Sequence, residues 1–346
     1  MNKTLLSAAI SAALLFLVSG TTNAKSWRIS PNVNDGDENV FAGINSALSS
    51  GKVNDGDTLY LDPGLTIETA TISKSVTVIG CGYFRSSTPH KFAVITSTIN
   101  IQAKGVKLEG IACDGEIKFG GNDKSGDNTI IERCKIGKLT WSAAATARNV
   151  TIRQCYITGE ISARSSYSDG LTMENCIVIS TSNDRLTFYG DNCTIKNNYL
   201  SAYYYTGIAV LVDNANSIVK NNIIVNRSDD NRNIDYGGSA VFTNNVSTSR
   251  TVRENNKSIE VSNLEAFEAA VFALTGLNDE RFTLKNDSPA KGYAEGGGDC
   301  GPFGGQYPYV PGGMPKYAPY FTKANIASKA TGNELSVSLQ IVQQEQ

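Results

Sequence analysis

The chain has 346 residues, 40% hydrophobic and 18% charged, with 32 glycines and 9 prolines; this balance suits a folded protein with a sizeable core and excludes a disordered one. Lysine plus arginine total 31 against 33 aspartates and glutamates, a formal charge of −2 that gives no footprint for nucleic acid. A single histidine nearly excludes His-rich metal sites, and seven cysteines is an odd count for a disulfide framework.

Residues 1–24 read as an export signal. Lys3 supplies the positive start, Ala8 to Val18 the apolar run, and Thr22-Asn23-Ala24 a small-residue cleavage site. No later stretch approaches the length needed to cross a bilayer. The mature chain, from Lys25, is therefore expected to be exported (periplasmic, cell-surface or extracellular) without a transmembrane segment. Residues 25–55 read as an N-terminal cap, with an amphipathic helix from Asp37 to Ser50 that carries Phe41, Ile44 and Leu48 on one face and stops at Gly51.

Residues 56–262 carry an internal repeat. Val76–Cys81, Ile130–Cys134, Val150–Cys155 and Leu171–Cys176 align, and Thr194–Asn198, Ile218–Asn222 and Ala240–Asn245 continue the series. Cys134, Cys155 and Cys176 fall 21 residues apart, and Asn198, Asn222 and Asn245 follow at 22, 24 and 23. Ile111 holds the slot between Cys81 and Cys134. A second column (Asn128, Asn149, Gly170, Asn192, Asn216, Gly238) keeps the period with residues that tolerate a left-handed corner. Ile131, Ile152, Met173, Ile195 and Val219 are the inward apolar positions. Such a repeat has no room for a helix. It predicts an all-β solenoid, a parallel β-helix of roughly nine coils on the order of 45 Å long.

Residues 263–318 read as a C-terminal cap, a short helix from Leu264 to Leu274 and then a Gly/Pro-rich closing loop. Residues 319–346 form a tail with a strand over 335–342 that could pair within its own chain or with another, so oligomers through this strand are an open alternative.

The repeat, the first-coil segment Gly56-Asp57-Thr58-Leu59-Tyr60-Leu61-Asp62-Pro63-Gly64, and the closing segments Asp287–Gly292 and Asp299–Gly305 resemble the secreted right-handed parallel β-helix proteins of the pectate-lyase-like superfold. The chain is particularly similar to exported β-helix proteins of Bacteroidetes whose function is mostly unassigned. The resemblance implies a right-handed coil and, by analogy of fold, a polysaccharide or cell-surface glycan as partner.

The slot formed by Cys81, Cys134, Cys155, Cys176, Asn198, Asn222 and Asn245 reads as a structural ladder in which asparagine amides bond along the column and cysteines pack as small hydrophobes. In-register neighbours lie a strand spacing apart, beyond the ~3.8 Å that Cβ atoms of a disulfide prefer, so Cys134, Cys155 and Cys176 are expected as buried free thiols. Beside the ladder, Glu132, Arg153, Glu174, Lys196 and Lys220 are expected to form a solvated charge column. Lys135, Tyr156, Ile177, Tyr199 and Ile223 then form an outward, partly aromatic face.

Aromatic planes that can stack on sugar rings make Tyr156, Tyr199, Tyr203 and Tyr204 the candidate ligand contacts, the last two within the triplet that ends at Tyr205. The candidate catalytic residues are Arg153, Arg164, Arg185 and Lys138 as bases, with Asp184 for polar selection. Asp229, Asn231, Asn233 and Asp235 alternate as oxygen ligands of Ca²⁺ do, but the string lacks the glycine and distal glutamate of a full calcium loop. No other cofactor is evident. His90, after Pro89, reads as an isolated exposed histidine.

The hydrolases of this superfold carry Asn-Thr-Asp, Asp-Asp, Gly-His-Gly and Arg-Ile-Lys in order. Here Asp229-Asp230 stands without its partners. The leading expectation is an exported β-helix that contacts glycans without a catalytic motif. The alternatives are a lyase that cleaves a uronic-acid polymer by β-elimination and a structural cell-surface protein.

Overall fold

The computed structural model describes residues 24–33, 38–83, 92–163, 166–180, 185–203, 210–212, 216–227, 239–248, 254–276, 278–315, 319–326, 334 and 336–343. The export signal before Ala24, His90, Arg164, Asp184, Tyr204, Gly238 and the calcium string Asp229, Asn231, Asn233 and Asp235 lie outside the described residues.

Two long sheets are built by winding the chain around one core. The first stacks eleven short strands, beginning with Val40–Phe41, Ser26–Ile29 and Thr58–Leu61 and ending with Ile218–Lys220 and Val241–Thr243. The second contains thirteen, from Thr66–Ile72 to Lys257–Ser258. Strands of successive turns pair in parallel and in register: Ile131 pairs with Ile152, Ile152 with Met173, Met173 with Ile195, and Ile195 with Val219. All five are fully buried. Alternation along each three-residue strand sends the middle side chain inward, and stacking turns this into a continuous apolar column.

Two corners repeat with left-handed backbone. Ahead of the first sheet stand Asn128, Asn149, Gly170, Asn192 and Asn216, with φ between 55° and 73°, as the sequence column predicts. Behind it stand Gly110, Arg133, Gln154, Asn175, Asn197, Asn221 and Asn244, with φ between 53° and 66°. This second corner marks about seven regular turns, fewer than the roughly nine expected, because the outer turns depart from the regular path to form the ends.

The corner explains the ladder. At the left-handed residue the backbone N–H turns away from the preceding turn and toward the following one: Gln154 donates to the Glu174 carbonyl and Asn197 to that of Lys220. The slot residue that comes next also points its N–H at the following turn, but from inside the core. A side chain has to accept it. Cys176 N–H donates to Asn198 Oδ1 at 2.8 Å, Asn198 N–H to Asn222 Oδ1 at 2.9 Å, and Asn222 N–H to Asn245 Oδ1 at 3.0 Å. Each amide also donates back, Asn198 to Met173 O, Asn222 to Ile195 O and Asn245 to Val219 O. The cysteines occupy the same geometry at longer range, Cys155 Sγ accepting from Cys134 N–H at 3.5 Å and facing Ile131 O at 3.6 Å. The ladder runs one step past the sequence column: Asn256 Oδ1 accepts from Asn245 N–H at 3.1 Å.

All seven cysteines are free, with Cys134, Cys155 and Cys176 buried as expected. Cys81 is only half-buried. Its turn places the left-handed residue after it, at Gly82, instead of before it.

Three terminal expectations change. The N-terminal helix α1 is only Ile44–Ser49, and Phe41 belongs to a strand paired with Ile29. The C-terminal helix α2 is Leu264–Val271 and does not plug an end. It lies on the outer face of the second sheet, where Phe267 and Val271 join Ile177, Tyr199 and Ile223 in a second apolar cluster. The closing loop is a strap that runs back along the corner residues. Asn244 reaches Tyr293 O, Asn221 the Glu295 N–H, Asn175 the Pro302 and Gly304 carbonyls, Gln154 Pro308 O, and Arg133 Met314 O. The tail strand is Val337–Gln343, which pairs antiparallel with Pro319–Ile326 of its own chain.

Two outcomes follow from the ladder. Asn222→Ala strips the acceptor from Asn198 and the donor from Ile195 O, so denaturant titration should show a loss of about 3 kcal/mol, while Cys155→Ala, which takes only a weak sulfur acceptor from Cys134 N–H, should lose less, about 1–2 kcal/mol. Alkylation without reductant should label seven thiols in denaturant and leave Cys134, Cys155 and Cys176 unlabelled in the native protein.

Candidate functional site

The expected charge column keeps its register but is not a solvated face. Glu132 faces Arg153, Arg153 faces Glu174 and Glu174 faces Lys196. Glu109, Glu132 and Glu174 are between 4% and 8% exposed, covered by the stems of their partners. Lys107 bridges Glu109 and Glu132 at 2.9 Å each, Arg153 binds Glu132, Lys196 binds Glu174 at 2.8 Å, and Lys220 binds Glu295 of the strap. Burial alone would raise the Glu132 carboxyl, but Lys107 and Arg153 outweigh it and hold the group below the ordinary carboxylate range. Arg153 is further covered by Tyr307 of the strap, whose ring centroid lies 4.9 Å from its guanidinium carbon. This candidate base is thus committed to packing.

The other described candidates do not converge on it. Lys138 is exposed on the second sheet, 3.6 Å from Glu116. Arg185 is half-buried just before the strand Leu186–Phe188. Tyr203 is half-buried after the strand Tyr199–Ala202.

Tyr199 is a correction. It occupies the predicted column, in register with Ile177 and Ile223, but that face is roofed by α2 and the three are fully buried. Its ring packs 4.9 Å from Phe272 and 5.2 Å from Phe282, and its hydroxyl donates to Glu268 Oε1 at 2.9 Å. It supports a wall and offers no sugar platform.

Tyr156, two strands before Tyr199 in the column, stays half-buried at the edge of the roof. There a groove of about 610 Å³ opens between the coil and the roof. The coil contributes Tyr156 and Arg227; the roof contributes Glu268, Asn278, Arg281 and Phe282. Tyr156 faces outward because Ile157, its neighbour in a two-residue strand, is buried. Arg227 follows the strand Ile223–Asn226 and is fixed by its N–H bond to Ala202 O. Glu268 is placed by α2, whose first turn is capped by Asn263 Oδ1 accepting from Ala266 N–H at 2.9 Å. Arg281 lies beside the Phe282 ring, 5.5 Å from its centroid.

The groove therefore joins an aromatic plane, two guanidinium groups, a carboxylate and an amide. Burial pushes the Tyr156 phenol upward; Asp279 and Glu268 add to this, and Arg281 and Arg227 oppose it. The phenol is held in its neutral, donating form. Glu268, Asn278 and Arg281 escape sequence reading because they lie outside the repeat, where no period marks them. Among the described residues, no three His, Cys, Asp or Glu side chains gather as a metal site, and no helix is long and apolar enough to cross a membrane.

Tyr199→Phe removes the donor that ties Glu268 of the roof to the coil. Thermal or denaturant unfolding should register a loss of about 1–2 kcal/mol.

The family comparison agrees with the architecture over the central turns. Residues 138–272 match the family described as the right handed beta helix region. Among solved structures, the chain is similar to the crystal structure of pectate lyase Pel9A, with 15% identity and a TM-score of 0.46 over 82% of this chain and 97% of that one. No curated protein matches the sequence. Two stacked parallel sheets around one core, with the family match across the central turns, make the chain a right-handed parallel β-helix protein.

Proposed function

We propose that the chain is an exported β-helix protein that contacts an acidic glycan in the groove between the coil and α2. The observation that carries this reading is the convergence of Tyr156, Arg227 and Arg281 on one cleft. A sugar ring offers C–H faces to an aromatic plane, and a uronate carboxylate or sulfate ester suits a guanidinium pair. The neutral phenol of Tyr156 can donate to a sugar oxygen. On the first sheet Lys107, Arg153, Lys196 and Lys220 are taken up by Glu109, Glu132, Glu174 and Glu295, whereas in the groove on the second sheet Arg227 and Arg281 meet an aromatic in an open cleft.

A second reading, β-elimination on a uronic-acid polymer, draws support from the same guanidinium pair, which could neutralise the substrate carboxylate. The raised phenol of Tyr156 weighs against it, because little phenolate is present at neutral pH to take a proton. Calcium at Asp229, Asn231, Asn233 and Asp235 is retained as a proposal for either reading, since alternate oxygen ligands suit that ion.

Binding assays with pectate, alginate and chondroitin sulfate, with dextran as the neutral control, test the proposal. At least one acidic polymer should bind, less tightly as salt rises, and Arg227→Ala/Arg281→Ala should weaken it by about tenfold to a hundredfold. Equal binding by the variant, or no acidic binder, overturns the reading. Growing ultraviolet absorbance from unsaturated product would establish the lyase instead.

A further inference from the structure

The turn that supplies part of the groove wall also holds the far end of the strap. Asn278 and Arg281 line the groove, while Asp279 between them points inward and is 2% exposed. Its Oδ2 accepts from the Tyr309 hydroxyl at 2.7 Å and from the Gly312 N–H at 2.8 Å. Tyr309 hydroxyl meets that of Tyr83 at 2.6 Å, and since Tyr309 donates to Asp279, Tyr83 donates to Tyr309. Tyr83 also gives its backbone N–H to Gly312 O at 2.8 Å. The relay spans coil, strap and groove wall, and all three side chains are almost wholly buried. Elsewhere the strap is docked largely by amides, which do not titrate; here a carboxyl takes their place.

We propose that Asp279 is a pH-sensitive latch: its protonated form holds the strap between Pro308 and Met314 tightly against the coil, and its ionisation loosens the strap together with the groove wall at Asn278 and Arg281. Both hydrogen-bond donors to Asp279 are neutral, so ionisation creates a buried charge that no bonded cation balances. The titratable and charged groups around it are Tyr83 and Tyr156 from the coil, Tyr309 from the strap, and Glu280 and Arg281 from its own turn. Arg133, Cys134 and Cys155 face Tyr83 in turn. Burial raises the Asp279 carboxyl above its ordinary 3.8, the Gly312 and Tyr309 donors offset part of this, and Glu280 adds to it. Burial also pushes the Tyr83 and Tyr309 phenols well above their ordinary range, so both stay neutral while Asp279 titrates.

The sign follows from linkage. A carboxyl raised by folding adds stability that is complete below its unfolded value, and that contribution is lost as pH rises through the folded value. The loosening is local because the relay joins the strap end and the groove turn to the coil through Tyr83 alone.

Hydrogen exchange of the full chain, followed through pH in peptides that cover 305–315 and corrected for the intrinsic exchange rate, tests the latch. Protection of this segment should fall as pH rises from 3.8, by about tenfold for each pKa unit of the Asp279 shift, while peptides over 172–174 should not follow it. Asp279→Asn keeps an acceptor without a charge and should flatten the profile. Tyr309→Phe removes a donor to the carboxylate and should move the transition to higher pH. A flat wild-type profile, the same slope in Asp279→Asn, or an unmoved transition in Tyr309→Phe overturns the proposal.

Discussion

The architecture depends on one buried N–H per turn. A left-handed corner is needed to swing the chain from the first sheet to the second, and it rotates the next N–H off the parallel ladder and into the core. Left without a partner, such a group costs about 1–3 kcal/mol, repeated at every turn. The asparagine column meets this need because a carboxamide can accept from the turn before and donate to a carbonyl of that same turn. Cys155 and Cys176 meet it less strongly, each with a larger and softer sulfur at 3.5 Å. The ladder ends where the need ends, at Asn256.

The same corner places a second column on the outside. Arg133, Gln154, Asn175, Asn197, Asn221 and Asn244 adopt left-handed backbone that costs an arginine or glutamine of the order of 1 kcal/mol or more. Their side chains hold the strap, so the local cost is offset by a contact between segments more than a hundred residues apart in several turns. Each corner thus serves the core through the residue after it and the strap through its own side chain. The buried ion pairs beside the strap follow from the same crowding: the Glu132 carboxylate loses water and is kept ionised by Lys107 and Arg153 of the neighbouring turns.

Much of this was legible in the repeat. The inward column, the left-handed asparagines ahead of each strand and the free thiols all show as a period in the chain, because a solenoid repeats its environment as often as it repeats its residues. The positions just before the slot, from Arg133 to Asn244, were available to the same reading. They were missed because arginine, glutamine and asparagine do not look alike, and only their shared backbone conformation unites them. Tyr199 went wrong for a different reason. Strand alternation says that a side chain leaves the coil, but it does not say whether another segment waits there.

The sequence by itself determined the winding: a parallel β-helix, its period, its inward column and the slot shared by cysteine and asparagine, since these rest on local geometry and nearest-turn contacts. Only the tertiary structure decided where the non-repeating C-terminal residues go. Helix α2 roofs a side instead of plugging an end, the strap folds back over the corners, and Tyr156, Arg227 and Arg281 meet in a groove. No period encodes that placement. It is set by which apolar face Phe267 and Val271 can cover and which backbone groups the corner side chains can reach.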